Sequence, residues 1–141
     1  MEYRKLGKTN ELISILGFGA SPLGNIFDVR DEQEGIDTVH YAIDHGVNFF
    51  DVSPFYGITL AETLLGKALL GKRKDIFLAT KCGRYDHASF DFSPDRVRLS
   101  VDESLSRLKL DHIDLLLCHD IEFDDPETVI FETLPDRKSV V

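Results

Sequence analysis

Ile76-Phe77-Leu78-Ala79-Thr80-Lys81 is a short apolar run that ends on a charge, and its reading decides the fold. A run of this length, rich in β-branched and aromatic residues, suits a buried strand. Two more runs share the form: Asn48-Phe49-Phe50-Asp51 and Ile113-Asp114-Leu115-Leu116-Leu117-Cys118-His119. Helical patterns separate them. Ile36, Val39, His40 and Ile43 fall at helical spacing, as do Leu60, Leu64, Leu65, Ala68 and Leu69. Val97, Val101, Ser104, Leu105 and Leu108 make the clearest helical face. Strand–helix alternation of this kind builds a parallel sheet or barrel. With Ile13–Ala20 as a first core strand, the chain holds four βα units, which predicts an α/β fold of (β/α) barrel type.

The local signals agree with that division. Tyr3 to Asn10 predicts a small hairpin arm with a polar tip. Asp31 with Glu34, and Thr59 with Glu62, stand at capping-box spacing. Gly46 and Gly71 suit helix stops. Ser93-Pro94 reads as an N-cap followed by proline at the first helical position. A last helix is expected from Asp125-Pro126, with Val129, Ile130 and Leu134 as its apolar residues and Pro135 interrupting it. The loop from Cys82 to Phe92 is polar and aromatic, a composition suited to an active-site loop.

A chain of 141 residues fits one domain with a real core. Its formal net charge is -9 and its Lys and Arg residues form no cluster, so neither nucleic acid nor an anionic membrane is an expected partner. No apolar stretch approaches membrane-spanning length, and Met1-Glu2-Tyr3-Arg4-Lys5 is followed by no signal-peptide hydrophobic region. The two cysteines, Cys82 and Cys118, make no disulfide framework and fit a reducing cytoplasm. Cys82 beside Lys81 also reads as a redox-sensitive thiol. Cys82, Cys118, His87 and His119 lack the close-paired spacing of structural zinc, so no metal is expected.

In a barrel the C-terminal strand ends carry the chemistry. Three successive runs end in Asp51, Lys81 and His119, and Tyr56 follows just past the second strand. Each has a bland reading alone: a turn aspartate, a strand-end lysine, a structural histidine, a rim aromatic. Together and in order they read as one site. A lysine ammonium beside a tyrosine favours the phenolate. An aspartate keeps that lysine charged and aimed, and a histidine hydrogen-bonds the substrate oxygen. The set can give or take a proton at a carbonyl or alcohol oxygen. It has no nucleophile, so it needs a hydride partner, which is cofactor chemistry.

Asp51-Val52-Ser53-Pro54-Phe55-Tyr56-Gly57, Ala79-Thr80-Lys81 and Leu116-Leu117-Cys118-His119 resemble the catalytic signatures of the aldo-keto reductases, and Leu16-Gly17-Phe18-Gly19-Ala20-Ser21 is similar to that family's first-strand pattern. Within the family, Ala20-Ser21-Pro22-Leu23-Gly24, Thr80-Lys81-Cys82-Gly83-Arg84-Tyr85, Phe90-Asp91-Phe92-Ser93 and Cys118-His119-Asp120-Ile121-Glu122-Phe123 resemble the L-galactose dehydrogenase subgroup. The resemblance implies a TIM barrel and an oxidoreductase that uses NAD or NADP on a small-molecule sugar or carbonyl. It implies Tyr56 as general acid or base, Lys81 tuning it, Asp51 holding Lys81, and His119 orienting the substrate. It places Gly19, Ala20, Ser21 and Asp51 against the nicotinamide ribose, and Leu23, Phe27, Phe55 and Tyr85 around the substrate pocket.

Family members form complete eight-stranded barrels, whereas residues 1–141 cover the N-terminal half, the first four βα units, and end in a tail, 136–141, that continues no amphipathic stripe. Most of the cofactor site is expected beyond residue 141. A non-catalytic fragment that self-associates through its open barrel edges is the alternative expectation.

Overall fold

The computed structural model describes residues 1–25 and 31–133. Phe27 and the tail 136–141 lie outside them. The opening segment forms a hairpin longer than the expected Tyr3–Asn10 arm: β1 (Tyr3–Lys5) pairs antiparallel with β2 (Leu12–Ser14), with Tyr3 opposite Ser14.

The stretch Ile13–Ala20 is not one strand. Its first part belongs to β2, and only β3 (Phe18–Gly19) joins the main sheet. The reason is local. The Ser14 hydroxyl donates to the Leu16 carbonyl at 2.7 Å and accepts the Asn48 N–H at 3.1 Å, while Asn48 Oδ1 accepts the Ser14 N–H at 2.7 Å. A side chain that bonds nearby backbone competes with a strand ladder, and here it bends the chain.

The main sheet is parallel, in the order β3, β4 (Phe49–Asp51), β5 (Phe77–Cys82), β6 (Leu115–Cys118). Gly19 pairs with Asp51, Asp51 with Ala79, and Lys81 with Leu117. The connections are α1 (Glu32–Asp44), α2 (Leu60–Ala68) and α3 (Pro94–Leu108). They cover one face of the sheet and bury Val39, Phe50, Leu64, Leu65, Leu78 and Leu108. The fold is that of a partial (β/α) barrel.

Three details position the layers. Asp31 caps α1 by accepting from the N–H groups of Gln33 and Glu34. Gly66 lets α2 and α3 touch backbone to backbone: a Cβ there would lie 2.4 Å from the Arg107 carbonyl oxygen. Asp114 ties the approach to β6 onto β5, accepting the Leu78 N–H at 2.7 Å and an Arg73 N–H at 2.5 Å. Downstream, α4 (Pro126–Thr128) passes into a wider π-type turn, Val129–Thr133, held where the Thr133 hydroxyl donates to the Phe92 carbonyl at 2.9 Å.

The Thr59–Glu62 capping box does not form. Thr59 makes no side-chain cap, and Glu62 is fully buried, facing the sheet instead of the helix end. Its carboxylate accepts the Thr80 hydroxyl at 2.7 Å and Arg107 Nε at 2.7 Å, so it stitches α2 to β5 and α3. Leu60, expected on the apolar stripe, is 41% exposed.

Arg107→Ala leaves that carboxylate buried without its cation. Breaking one partner of a buried pair costs about 3–5 kcal/mol. Urea denaturation of the chain should show a loss of that order; a loss below about 1 kcal/mol, the range of exposed pairs, would remove Arg107 as the counter-ion.

Candidate active site

Parallel pairing places Asp51 and Lys81 on the sheet face away from the helices. Asp51 stands opposite Ala79, and Lys81 lies two residues further along the same face, within diagonal reach. The contact is made: Lys81 Nζ donates to Asp51 Oδ1 at 2.5 Å and to the Val52 carbonyl at 3.1 Å. The Lys81 side chain is only 12% exposed, so this charge-assisted bond is weakly screened. The ammonium also lies 4.9 Å from the centre of the Tyr56 ring.

Tyr56 sits in the turn after β4, and its position is set by backbone. Gly24 and Gly57 cross so closely that a Cβ on Gly57 would fall 2.2 Å from the Gly24 carbonyl oxygen, and one on Gly24 would fall 2.6 Å from the Tyr56 carbonyl carbon. Beyond Gly57, Ile58 and Thr59 hold φ of 48° and 74°. Left-handed backbone at β-branched residues costs about 1–3 kcal/mol each and persists only where the surroundings impose it.

His119 follows β6 and completes the group. Its ring meets Tyr56 edge-on at 5.7 Å between centroids and Phe55 at 5.5 Å. The Ser53 hydroxyl, fully buried, lies 2.9 Å from Nδ1. Ser53 Oγ also accepts the Phe55 N–H at 3.1 Å, so it ties the turn after β4 to the imidazole. Burial pushes the His119 pKa below the usual histidine value; nearby Lys81 and Arg84 push the same way, against Asp120 and Asp51.

Around this group lies an aromatic and charged rim. The Arg84 guanidinium stacks 3.8 Å from the centre of Phe55, pairs with Asp120, and reaches Phe90, which stacks on Phe123 at 4.5 Å.

The structure thus brings Asp51, Tyr56, Lys81 and His119 together, with Phe55 beside them. Other expected residues stand elsewhere. Leu23 is buried in the core beneath α1, where a Cβ on Gly35 would meet it at 3.1 Å. Tyr85 turns toward α3: Arg96 covers its ring at 3.7 Å, and its hydroxyl accepts the Gly83 N–H at 3.1 Å. Ala20 is fully buried, its N–H bonded to the Asp51 carbonyl at 2.8 Å. Gly19 is open: a Cβ there would meet nothing within 4 Å. Ser53 and Arg84 were not singled out by sequence. A buried hydroxyl inside the Asp51–Gly57 segment and the one basic side chain amid aromatics after Lys81 were the available signals. Among the described residues, no group of three His, Cys, Asp or Glu could hold a metal ion, and no helix is long and apolar enough to cross a membrane.

Residues 15–139 match the Aldo/keto reductase family. The chain is 52% identical to L-galactose dehydrogenase of Arabidopsis thaliana over 138 residues, which are 96% of this chain and 43% of that protein. It is 32% identical to D-threo-aldose 1-dehydrogenase of Pseudomonas sp over 152 residues, 91% of this chain and 46% of that protein. The holo form of aldo-keto reductase AKR11C1 from Bacillus halodurans superposes with a TM-score of 0.85 at 35% identity, covering 99% of this chain and 47% of that one. The chain spans less than half the length of these curated relatives. On fold, site residues and sequence together, the chain belongs to the aldo/keto reductase family.

Proposed function

We propose that this chain supplies the proton-transfer half of a nicotinamide-dependent sugar dehydrogenase, one that oxidises the hemiacetal of an aldose such as L-galactose to its lactone, or reduces a carbonyl in the reverse sense. The observation that carries the reading is Lys81, bonded to Asp51 and poised over Tyr56, with a neutral His119 at the tyrosine's edge. The similarity to L-galactose and aldose dehydrogenases supports the substrate class.

In oxidation Tyr56, as phenolate, takes the proton of the sugar hydroxyl. Lys81 stabilises the negative charge on Tyr56 before transfer, and Asp51 keeps Lys81 charged and aimed. His119 hydrogen-bonds the same sugar oxygen, and Ser53, at its Nδ1, orients the ring from behind. Phe55, stacked under Arg84, walls the site from water. NAD or NADP, held on the side of Gly19, Ser21 and Asp51, would supply the hydride acceptor for the anomeric carbon. The open backbone at Gly19, beside Ser21 and Asp51, fits the ribose side of such a cofactor. Most of the remaining cofactor site would come from the C-terminal half of the barrel, of which residues 1–141 are the N-terminal half.

A second reading follows from the sheet edges. β3 and β6 are the outer strands of the described sheet, and Leu117, on the face away from the helices, is 37% exposed. Unpaired edges associate. A chain acting alone would pair with another half-barrel and carry no turnover. Sedimentation of residues 1–141 as dimers or larger, with no binding of NADH, would favour this reading over the catalytic one.

Tyr56→Phe in the complete barrel should lower the turnover of L-galactose with either nicotinamide by about 10²–10⁴-fold, the usual worth of a general base. Unchanged turnover would remove Tyr56 from the reaction. The His119 imidazole, followed by NMR, should take up its proton at lower pH than an ordinary histidine near 6.5, because burial disfavours the cation. The sign for stability follows: as pH falls below about 6.5 the unfolded chain binds this proton before the folded one, so the contribution of His119 is lost in that window. A midpoint at or above 6.5 would contradict the neutral donor.

A further inference from the structure

The proposed reaction leaves one pair of reactive side chains unused. Cys82 closes β5 and Cys118 closes β6, and the two are Cα partners in the parallel register. In-register partners on adjacent strands point to the same face about 4.8 Å apart. That lies inside the Cα separation of about 4.4–6.8 Å at which a disulfide closes. No disulfide joins them. Cys82 is fully buried and Cys118 half-buried, so a small oxidant reaches Cys118 first. A hydrogen bond from Cys82 holds the Cys118 thiol below its usual pKa against the effect of burial, which favours the reactive thiolate.

The neighbours make the pair consequential. Lys81 precedes Cys82, His119 follows Cys118, and the His119 N–H donates to the Cys82 carbonyl at 2.9 Å. Any movement that draws these strand ends together is felt by both side chains on the opposite face.

We propose that Cys82 and Cys118 form a reversible dithiol–disulfide site, oxidised by a peroxide, whose closure shifts the strand ends that carry Lys81 and His119. The Cys118 thiolate attacks one peroxide oxygen, the O–O bond breaks, and a sulfenic acid forms as the other oxygen leaves as water. The Cys82 sulfur then attacks Cys118, the S–S bond forms, and the sulfenic oxygen leaves as a second water. Two electrons from the two thiols reduce the peroxide, and the two thiol protons go into the waters. A bridge between neighbouring parallel strands departs from the preferred disulfide geometry, and a strained bridge is easily reduced. Reversal therefore needs only a thiol reductant.

The test uses residues 1–141 with hydrogen peroxide. Intact mass should fall by the two hydrogens of one disulfide, non-reducing digestion should yield a peptide linking Cys82 to Cys118, and dithiothreitol should restore both thiols. Cys82→Ser should leave Cys118 as a sulfenic acid that dimedone traps, because its resolving thiol is gone. Cys118→Ser should leave Cys82 slow to react. The His119 ring resonances should move on oxidation of the wild-type chain and return when dithiothreitol reduces the bridge, and should stay unmoved in Cys118→Ser. Accumulation of Cys118 sulfinic acid with Cys82 still reduced would overturn the bridge. A bridge that leaves the His119 resonances unmoved would overturn the coupling. These readouts involve no turnover, so they stand or fall apart from the proposed reaction.

Discussion

In-register parallel pairing of β4, β5 and β6 is the constraint on which the rest of the molecule depends. Side chains along a strand alternate between faces, and in-register neighbours share a face. Once Asp51 pairs with Ala79, and Lys81 with Leu117, the assignment of every residue follows. Asp51 and Lys81 emerge on the face without helices. Leu78, Thr80, Cys82 and Cys118 emerge on the other. A slip of one residue in β5 would send Lys81 into the apolar layer and Thr80 into the site. The buried Glu62 guards against that slip, because its carboxylate is answered by the Thr80 hydroxyl and neutralised by Arg107.

Charge is arranged in local pairs that cross strand ends. Asp51 with Lys81 links β4 to β5, Arg84 with Asp120 links the loops after β5 and β6, and Arg73 with Asp114 performs the same service at the entry to β6. A buried pair is costly to desolvate and is weak evidence for stability. Its effect here is geometric. Each pair fixes the separation of two strand ends, and the functional side chains ride on them. His119 differs: the Ser53 hydroxyl stands at its Nδ1, and burial holds its pKa below the usual histidine value.

Much of this was legible in the sequence because strand ends are punctuated. Apolar runs that stop at Asp51, Lys81 and His119 announce both the strand and the candidate site at its end, and the capping signal at Asp31 located α1. Other elements were hidden where one local pattern had two physical uses. Ile13 to Ala20 reads as one strand, yet a hydroxyl at Ser14 diverts its start into the hairpin. Glu62 stands at capping-box spacing, yet an acid three residues after Thr59 also faces the sheet, and there it met Thr80 and Arg107. Leu23 and Tyr85 were expected at the pocket from the family resemblance and their place in loops. Loop position does not reveal direction: Leu23 is drawn into the apolar layer under α1, and Tyr85 is drawn onto Arg96. Ser53 was invisible as a functional residue because its partner, His119, stands 66 residues away in the chain.

Tyr56 shows how far backbone can serve chemistry. It stands on no strand; its carbonyl accepts the Ala61 N–H at the start of α2 at 3.2 Å, and its own N–H donates to the Ser53 carbonyl at 3.1 Å. Its placement comes from two glycines that cross without side chains and from the left-handed backbone at Gly57, Ile58 and Thr59. A Cβ at Gly24 or Gly57 would collide with backbone, which cannot yield as a flexible side chain would. The turn is therefore pressed from one side by the Gly24 loop and from the other by the start of α2. The strain at Ile58 and Thr59 is retained because α2, anchored by buried Glu62 and the Gly66 contact with α3, cannot move to relieve it. The tyrosine's position beside Lys81 thus rests on helix packing transmitted through this backbone, together with its ring contacts to Lys81 and His119.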